Sequence, residues 1–288
     1  MLASPAARRL ARDRGIDIAL VPPSAPGKRI TTDDVEAFAA RPQPSPAAPA
    51  DGQAPTAPSA APSAAPSGRT VAFEGIRKVV AERLHESLQA MAQVTVSREA
   101  EVAGLVARRT QLAPGFEAAS GLRLTYTDLL VETVARLLPE HPLLNSTLEG
   151  DSIVISDAVH IGVAVALEDG LIVPVIKDAH TRSLGDIARA RTELAARAQA
   201  GTLGMDEIEG GTFTISNLGA FGADSFTPIV NPPQCAILGV GRIVQKPVAA
   251  DGEVRVRPTM WLSLTFDHRL VDGAPAARFL QALADRLG

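Results

Sequence analysis

The chain is poor in the residues and patterns on which most recognisable site chemistry depends. A single cysteine, Cys235, among 288 residues excludes an intramolecular disulfide and any cysteine-rich metal site. It lies in the apolar run Cys235-Ala236-Ile237-Leu238-Gly239-Val240, which reads as a buried structural thiol rather than a nucleophile. No phosphate-cradling glycine loop occurs, neither GxGxxG nor GxxxxGKS/T, and there is no GxSxG elbow and no HExxH zinc motif. No run of about 18 uncharged apolar residues exists, and Met1-Leu2-Ala3-Ser4-Pro5 leads into arginines rather than a signal-peptide core. A net charge of -4 gives no overall electrostatic footing for nucleic acid or an anionic membrane. What remains is the expectation of a metal-free soluble protein of a reducing compartment, the cytoplasm.

With 46% hydrophobic residues, the chain can bury a substantial core. Residues 1–40 read as a miniature helical domain. Ser4-Pro5 is an N-cap followed by proline at the first helical position, and Gly15 stops a helix that presents Ala7, Leu10 and Ala11 on one face. A second helix is expected from Thr32, with Asp33 and Asp34 in its first turn and Val35 and Phe38 inward. Arg8, Arg9, Arg12, Arg14, Lys28 and Arg29 crowd this unit, as a solvated face or as a docking patch for an acidic partner. Residues 41–69 form an Ala/Pro-rich linker: eight prolines fall between Pro42 and Gly68. Extended polyproline II over that stretch would reach up to roughly 80 Å.

From residue 70 to 288 helices and strands alternate without a parallel-sheet repeat, an α/β or α+β pattern. Helices are expected at Gly75–Met91, from the Thr125–Asp128 capping box to Leu138, and from the Ser183 cap to Gly201. Strands are expected at 93–101, 143–148, 151–156, 159–167, 171–176, 211–217, 236–240, 254–257 and 260–266. The last strand delivers Asp267-His268-Arg269, with Asp272-Gly273 as a turn before a final helix. A histidine there is a candidate general base, or an ordinary loop histidine beside a turn. Ser216, in Thr212-Phe213-Thr214-Ile215-Ser216-Asn217, is a hydroxyl available to developing negative charge, or a strand-end serine bonding its own turn. Phe226 to Gln234 reads as a stiff proline-rich loop, and His85, His141, His160 and His180 have no informative spacing.

Taken together, these segments resemble the dihydrolipoamide acyltransferases, the core subunits of 2-oxo acid dehydrogenase complexes. The signature Asp267-His268-Arg269-Leu270-Val271-Asp272-Gly273 carries the likeness, with GTFTISNLGAFG, FTPIVNPPQCAILGVG and DGLIVPVIKDA. ASPAARRLARDRGIDI and KRITTDDVEAF resemble that family's peripheral subunit-binding domain. The resemblance implies a chloramphenicol-acetyltransferase-like catalytic domain over 70–288, behind a small all-α peripheral subunit-binding domain over 1–40. It implies homotrimers assembling into a larger core, each active site lying between two subunits, with coenzyme A and dihydrolipoamide as substrates; the TISNLG run resembles acetyl or branched-chain members more than succinyl ones, and acetyl is the expected group. His268 would be the base and Ser216 the oxyanion donor, contributed by different subunits. Asp272 would orient the site through an arginine ion pair. Arg8, Arg9, Arg12 and Arg29 would dock dihydrolipoamide dehydrogenase and the 2-oxo acid decarboxylase.

Two departures from the family pattern stand out. No Asp-Lys-Ala lipoyl-lysine segment occurs, so the lipoyl group is expected from another domain or chain, and Pro22-Pro23-Ser24-Ala25-Pro26-Gly27 replaces the usual glycine-rich loop. The rival class is a noncatalytic scaffold that only binds partner enzymes; a free-standing acetyltransferase on this fold is the third.

Overall fold

The computed structural model describes residues 3–24, 28–40, 69, 71–167, 170–250 and 252–288. The linker expected over 42–68 and part of the altered loop, 25–27, lie outside the described residues. The chain divides into two compact units, Met1–Arg69 and Thr70–Gly288.

In the first unit α1 (Pro5–Asp13) starts where Ser4 Oγ accepts the Ala7 N–H at 3.1 Å, and Pro5 supplies a helical φ at a position that needs no donor. A 3-10 turn at Ile18–Leu20 precedes α2 (Thr32–Ala39), whose Asp34 carboxylate accepts the Thr31 N–H at 2.8 Å. Ala7, Ala11, Val21, Ile30 and Val35 form the small core, with Leu10 and Phe38 packed against it.

The second unit opens with α3 (Gly75–Ala90), β1 (Gln93–Glu101) and α4 (Ala103–Ser120), then α5 (Tyr126–Leu137), β2 (Ser146–Glu149) and β3 (Ser152–Ile155). There follow β4 (Ile161–Val163), β5 (Val165–Leu167), β6 (Gly170–Ile172), β7 (Val175–Ile176), α6 (Leu184–Ala200) and α7 (Met205–Ile208). It ends with β8 (Phe213–Asn217), the long hairpin β9 (Ala236–Ala250) and β10 (Glu253–Asp267), and α8 (Gly273–Leu287). A mixed six-stranded sheet runs β1-β10-β9-β8-β4-β7, while β2–β3 and β5–β6 are separate hairpins. Strand β8 is parallel to both β9 and β4; the other pairings in the large sheet are antiparallel.

Strand alternation decides what each face does. Phe213 and Ile215 of β8, Leu238 and Val240 of β9, and Leu262, Leu264 and Phe266 of β10 point into the main core with Val134 of α5 and Phe279 and Leu283 of α8. Thr214, Ser216, Ser263 and Thr265 fall on the opposite face, beside Thr95 and Ser97 of β1. There the Thr95 and Thr265 hydroxyls lie 2.7 Å apart, and Ser97 donates to Ser263 at 3.0 Å.

Some sequence expectations are corrected. Residues 143–145 belong to a 3-10 turn (Pro142–Asn145), because Pro142 fixes φ and the Asn145 amide donates to the carbonyls of Ser156 and Ala158. The strands expected at 159–167 and 171–176 each break in two. Val163 donates to Pro174 O while Ala164 donates to Ile215 O, so the ladder changes partner within one residue, and Pro174 has no N–H to extend one. Helix α4 was not among the expected elements. The segments 254–257 and 260–266 join into one strand. Among the described residues no helix is long and apolar enough to cross a membrane.

Candidate active site

Ser216 stands near the end of β8, and the strand's alternation turns it away from the core. Beyond it, Asn217 Oδ1 accepts the Gly219 N–H at 2.9 Å, and its amide donates to Thr127 at 3.1 Å, which fixes the strand end. The serine lines an apolar cavity of about 330 Å³ with Ile76, Val80, Leu171, Ile229 and Ile237, and Arg83 is the cation in its wall.

Residues 222–234 cross the sheet as a strap beside this cavity. Glycines make the crossing possible: a Cβ on Gly239 would come within 3.1 Å of Pro228, and one on Gly241 within 1.8 Å of the Asp224 carbonyl. The strap is fastened to α3 and β1, with the Val230 N–H donating to Gln93 at 3.0 Å, Ser87 donating to Val230 O at 2.6 Å, and Arg83 donating to Pro232 O at 2.8 Å. The proline-rich loop thus fixes one wall of the Ser216 cavity.

His268 follows the last residue of β10. Its N–H donates to Ala92 O at 2.9 Å, and its ring, 42% exposed, lies against Phe266 with centroids 5.9 Å apart. Asp272 caps α8 without a side-chain bond to the helix; its carboxylate is 82% exposed and 3.9 Å from His268 Nδ1. The expected arginine ion pair of Asp272 is not found among the described residues. Arg269 pairs with Asp267, whose side chain is 1% exposed, at 2.6 Å.

The sheet register sets the backbone separation of Ser216 and His268. Ser216 aligns with Gly239, and Gly239 with Ser263, so His268 lies two strands across and five residues along. At about 3.3 Å per residue and about 4.8 Å per strand, the separation is about 19 Å. One chain does not bring Ser216 and His268 onto one reacting atom.

Two of the other histidines have structural surroundings. His160 Nδ1 accepts the Asp178 N–H at 2.9 Å, and burial pulls its pKa below the usual value against the opposing influence of Asp178. His141 stands edge-on to Phe279 at 5.4 Å, also with a burial-lowered pKa. In the first unit Arg8, Arg9, Arg12 and Arg29 are exposed. Among the described residues no three His, Cys, Asp or Glu side chains converge in a way that could hold a metal ion.

Against solved structures, the fold is that of the dihydrolipoamide acyltransferase core. A probable dihydrolipoamide acetyltransferase from Listeria monocytogenes superposes with a TM-score of 0.75 at 38% identity, over 77% of this chain and 95% of that one. The dihydrolipoamide acetyltransferase of Azotobacter vinelandii, studied for the catalytic roles of a serine, a histidine and an asparagine, gives 0.74 at 40% identity, over 76% and 90%. Residues 65–288 match the 2-oxoacid dehydrogenases acyltransferase (catalytic domain) family and residues 1–36 the e3 binding domain. The chain belongs to the 2-oxoacid dehydrogenase acyltransferase family. It is an enzyme, a core acyltransferase of 2-oxoacid dehydrogenase complexes, in a family that uses coenzyme A as substrate.

Two curated relatives differ in the acyl group they carry. The acetyltransferase component of the acetoin cleaving system of Bacillus subtilis is 41% identical over 284 residues, 98% of this chain and 68% of its own length. The succinyltransferase component of the Escherichia coli 2-oxoglutarate dehydrogenase complex is 37% identical over 287 residues, 99% of this chain and 69% of its own length.

Proposed function

We propose that the enzyme transfers an acetyl group between dihydrolipoamide and coenzyme A, with His268 as base and Ser216 as oxyanion donor, from different subunits of a homotrimer. The observation that carries this reading is the separation of about 19 Å between two groups that must meet at one carbonyl. A rotated second copy can present its His268 to the Ser216 cavity. Exposed Phe73, Ile76 and Val79, together with Ile153, Val154 and Ile155, offer apolar surface for such association. The spacing adds support: His268 follows Ser216 by 52 residues and precedes Asp272 by 4, the spacings of the three residues studied in the Azotobacter enzyme, with aspartate in place of its asparagine.

A thiol with a pKa near 8.5 is mostly protonated at neutral pH, so the neutral imidazole takes its proton as sulfur attacks the thioester carbonyl. The new C–S bond pushes electrons onto the carbonyl oxygen, and the Ser216 hydroxyl donates to that oxyanion, worth about 3–4 kcal/mol. Collapse expels the second sulfur, which recovers the proton from the imidazolium. Acetyl is preferred because the cavity at Ser216 is walled mainly by aliphatic side chains and because the acetoin-system relative is an acetyltransferase. The lipoyl group arrives on another domain or chain. Arg8, Arg9, Arg12 and Arg29 dock dihydrolipoamide dehydrogenase and the decarboxylase, the trimers build a larger core, and the reducing cytoplasm is its setting.

The test is a panel of acyl-CoAs assayed with free dihydrolipoamide, on wild type and two variants. His268→Ala should lower kcat by about 10²–10⁴. Ser216→Ala should lower kcat by about 10²–10³ with KM little changed. A noncatalytic scaffold would show no transfer in the wild type, and a preference for succinyl-CoA would overturn the acetyl assignment.

A further inference from the structure

A base must be held within a fraction of an ångström of its working position, since a misplacement of about 1 Å can cost about 10²-fold in rate. The structure shows what holds His268. Alternation along β10 sends Leu262, Leu264 and Phe266 into the core and brings Asp267 to the strand's end with its carboxylate buried. A buried carboxylate is tolerated only when its oxygens are fully partnered. Here Arg269 Nε donates to both oxygens, at 3.0 and 2.9 Å, and its terminal nitrogen donates at 2.6 Å. The Arg269 N–H (3.1 Å) and the Ala92 N–H (3.3 Å) complete the set.

We infer that Asp267 and Arg269 are positioning residues of the acyltransfer site, clamping between them the turn that presents His268. The inference rests on the reading of His268 as the base. An arginine from elsewhere in the molecule would neutralise the carboxylate equally well. This one comes from two positions on, so the ion pair closes a loop of chain in which His268 is the one enclosed residue. The main chain fastens both flanks: Asp267 donates to Cys235 O at 2.9 Å, His268 donates to Ala92 O at 2.9 Å, and Leu270 and Val271 donate back to Asp267 O. The exposed Asp272 carboxylate, 3.9 Å from the imidazole, has no such framework.

The pair also sets the charge next to the imidazole. The charged groups at His268 are Asp267 and Arg269 on its own turn and Asp272 at the head of α8, and the α3–β1 junction packed against it contributes the Ala92 main chain. While the pair is intact its two charges cancel. Removing either leaves the other uncompensated, with opposite consequences for protonation of the imidazole.

The test measures kcat, KM and the pH dependence of kcat/KM for acetyl transfer in wild type, Arg269→Gln, Arg269→Lys, Asp267→Asn and His268→Ala. Folding and assembly are checked by circular dichroism and sedimentation. Arg269→Gln, at a side chain 43% exposed, should fold and lower kcat about 10–10²-fold with KM for coenzyme A unchanged. Its kinetic pKa should rise, that of Asp267→Asn should fall, and Arg269→Lys should return toward wild type in both kcat and pKa. A merely structural ion pair would lower the melting temperature and leave the kinetic pKa in place. Folded Arg269→Gln with wild-type kcat and kinetic pKa, beside an inactive His268→Ala, would overturn the positioning role alone. Wild-type turnover in His268→Ala would remove the base assignment and this inference with it.

Discussion

Cys235 is the most nucleophilic side-chain type in the chain and the least available. Burial pushes its thiol up to about 12, so at pH 8 almost none is thiolate and iodoacetamide should leave it unmodified in the native protein. Unfolding in urea should release one reactive equivalent per chain, which mass spectrometry can count. His141 and His160 act on stability in the opposite pH range. Both have folded pKa values lowered by burial from 6.5, so below that pH the unfolded chain takes up protons before the folded one. The stabilisation is fully present above about pH 6.5 and is lost as pH falls toward the folded values. The melting temperature should therefore decline from pH 7 to pH 5, and His160→Gln should flatten that decline.

At the scale of elements, the strap over the sheet is the feature most exposed to a single substitution. Gly241→Ala would set a Cβ 1.8 Å from the Asp224 carbonyl, a contact relieved only by lifting the strap. It should cost about 1–3 kcal/mol in urea unfolding, the scale of an overpacked core, and raise KM as the wall of the Ser216 cavity moves. This feature also marks what the sequence could reveal. Helix α5 was legible because its stop and start are local: Thr125 and Asp128 sit one turn apart and cap each other. Helix α4 was not, since it buries only Leu105 and carries Pro114 inside, so neither periodicity nor composition announces it. The long hairpin reads as separate pieces because Pro258 interrupts its sequence pattern, although it faces Gln245 in a ladder whose register shifts only between Met260 and Leu262. Ser216 and His268 were readable as strand-end polar residues, but the burial of Asp267 and its pairing with Arg269 were not, because they depend on how the strand end packs.

At the scale of the molecule, the first unit is tested by charge. Replacing Arg8, Arg12 and Arg29 together by alanine should weaken binding to dihydrolipoamide dehydrogenase and reduce its salt dependence, without slowing transfer to free lipoamide. Isothermal titration at two ionic strengths would show it. The second unit carries a consequence that belongs to genetics rather than to chemistry. If the reactive groups lie about 19 Å apart in one chain and meet only across a boundary, a defect in one is not confined to its own chain. Two dead alleles, His268→Ala and Ser216→Ala, should complement when their products assemble together, because an intact half from each can face the other. In random trimers from equal amounts, about a quarter of the boundaries pair two intact halves, so activity should return to about that fraction of wild type. Either product alone should show only its own residual turnover, with no such recovery at any dose.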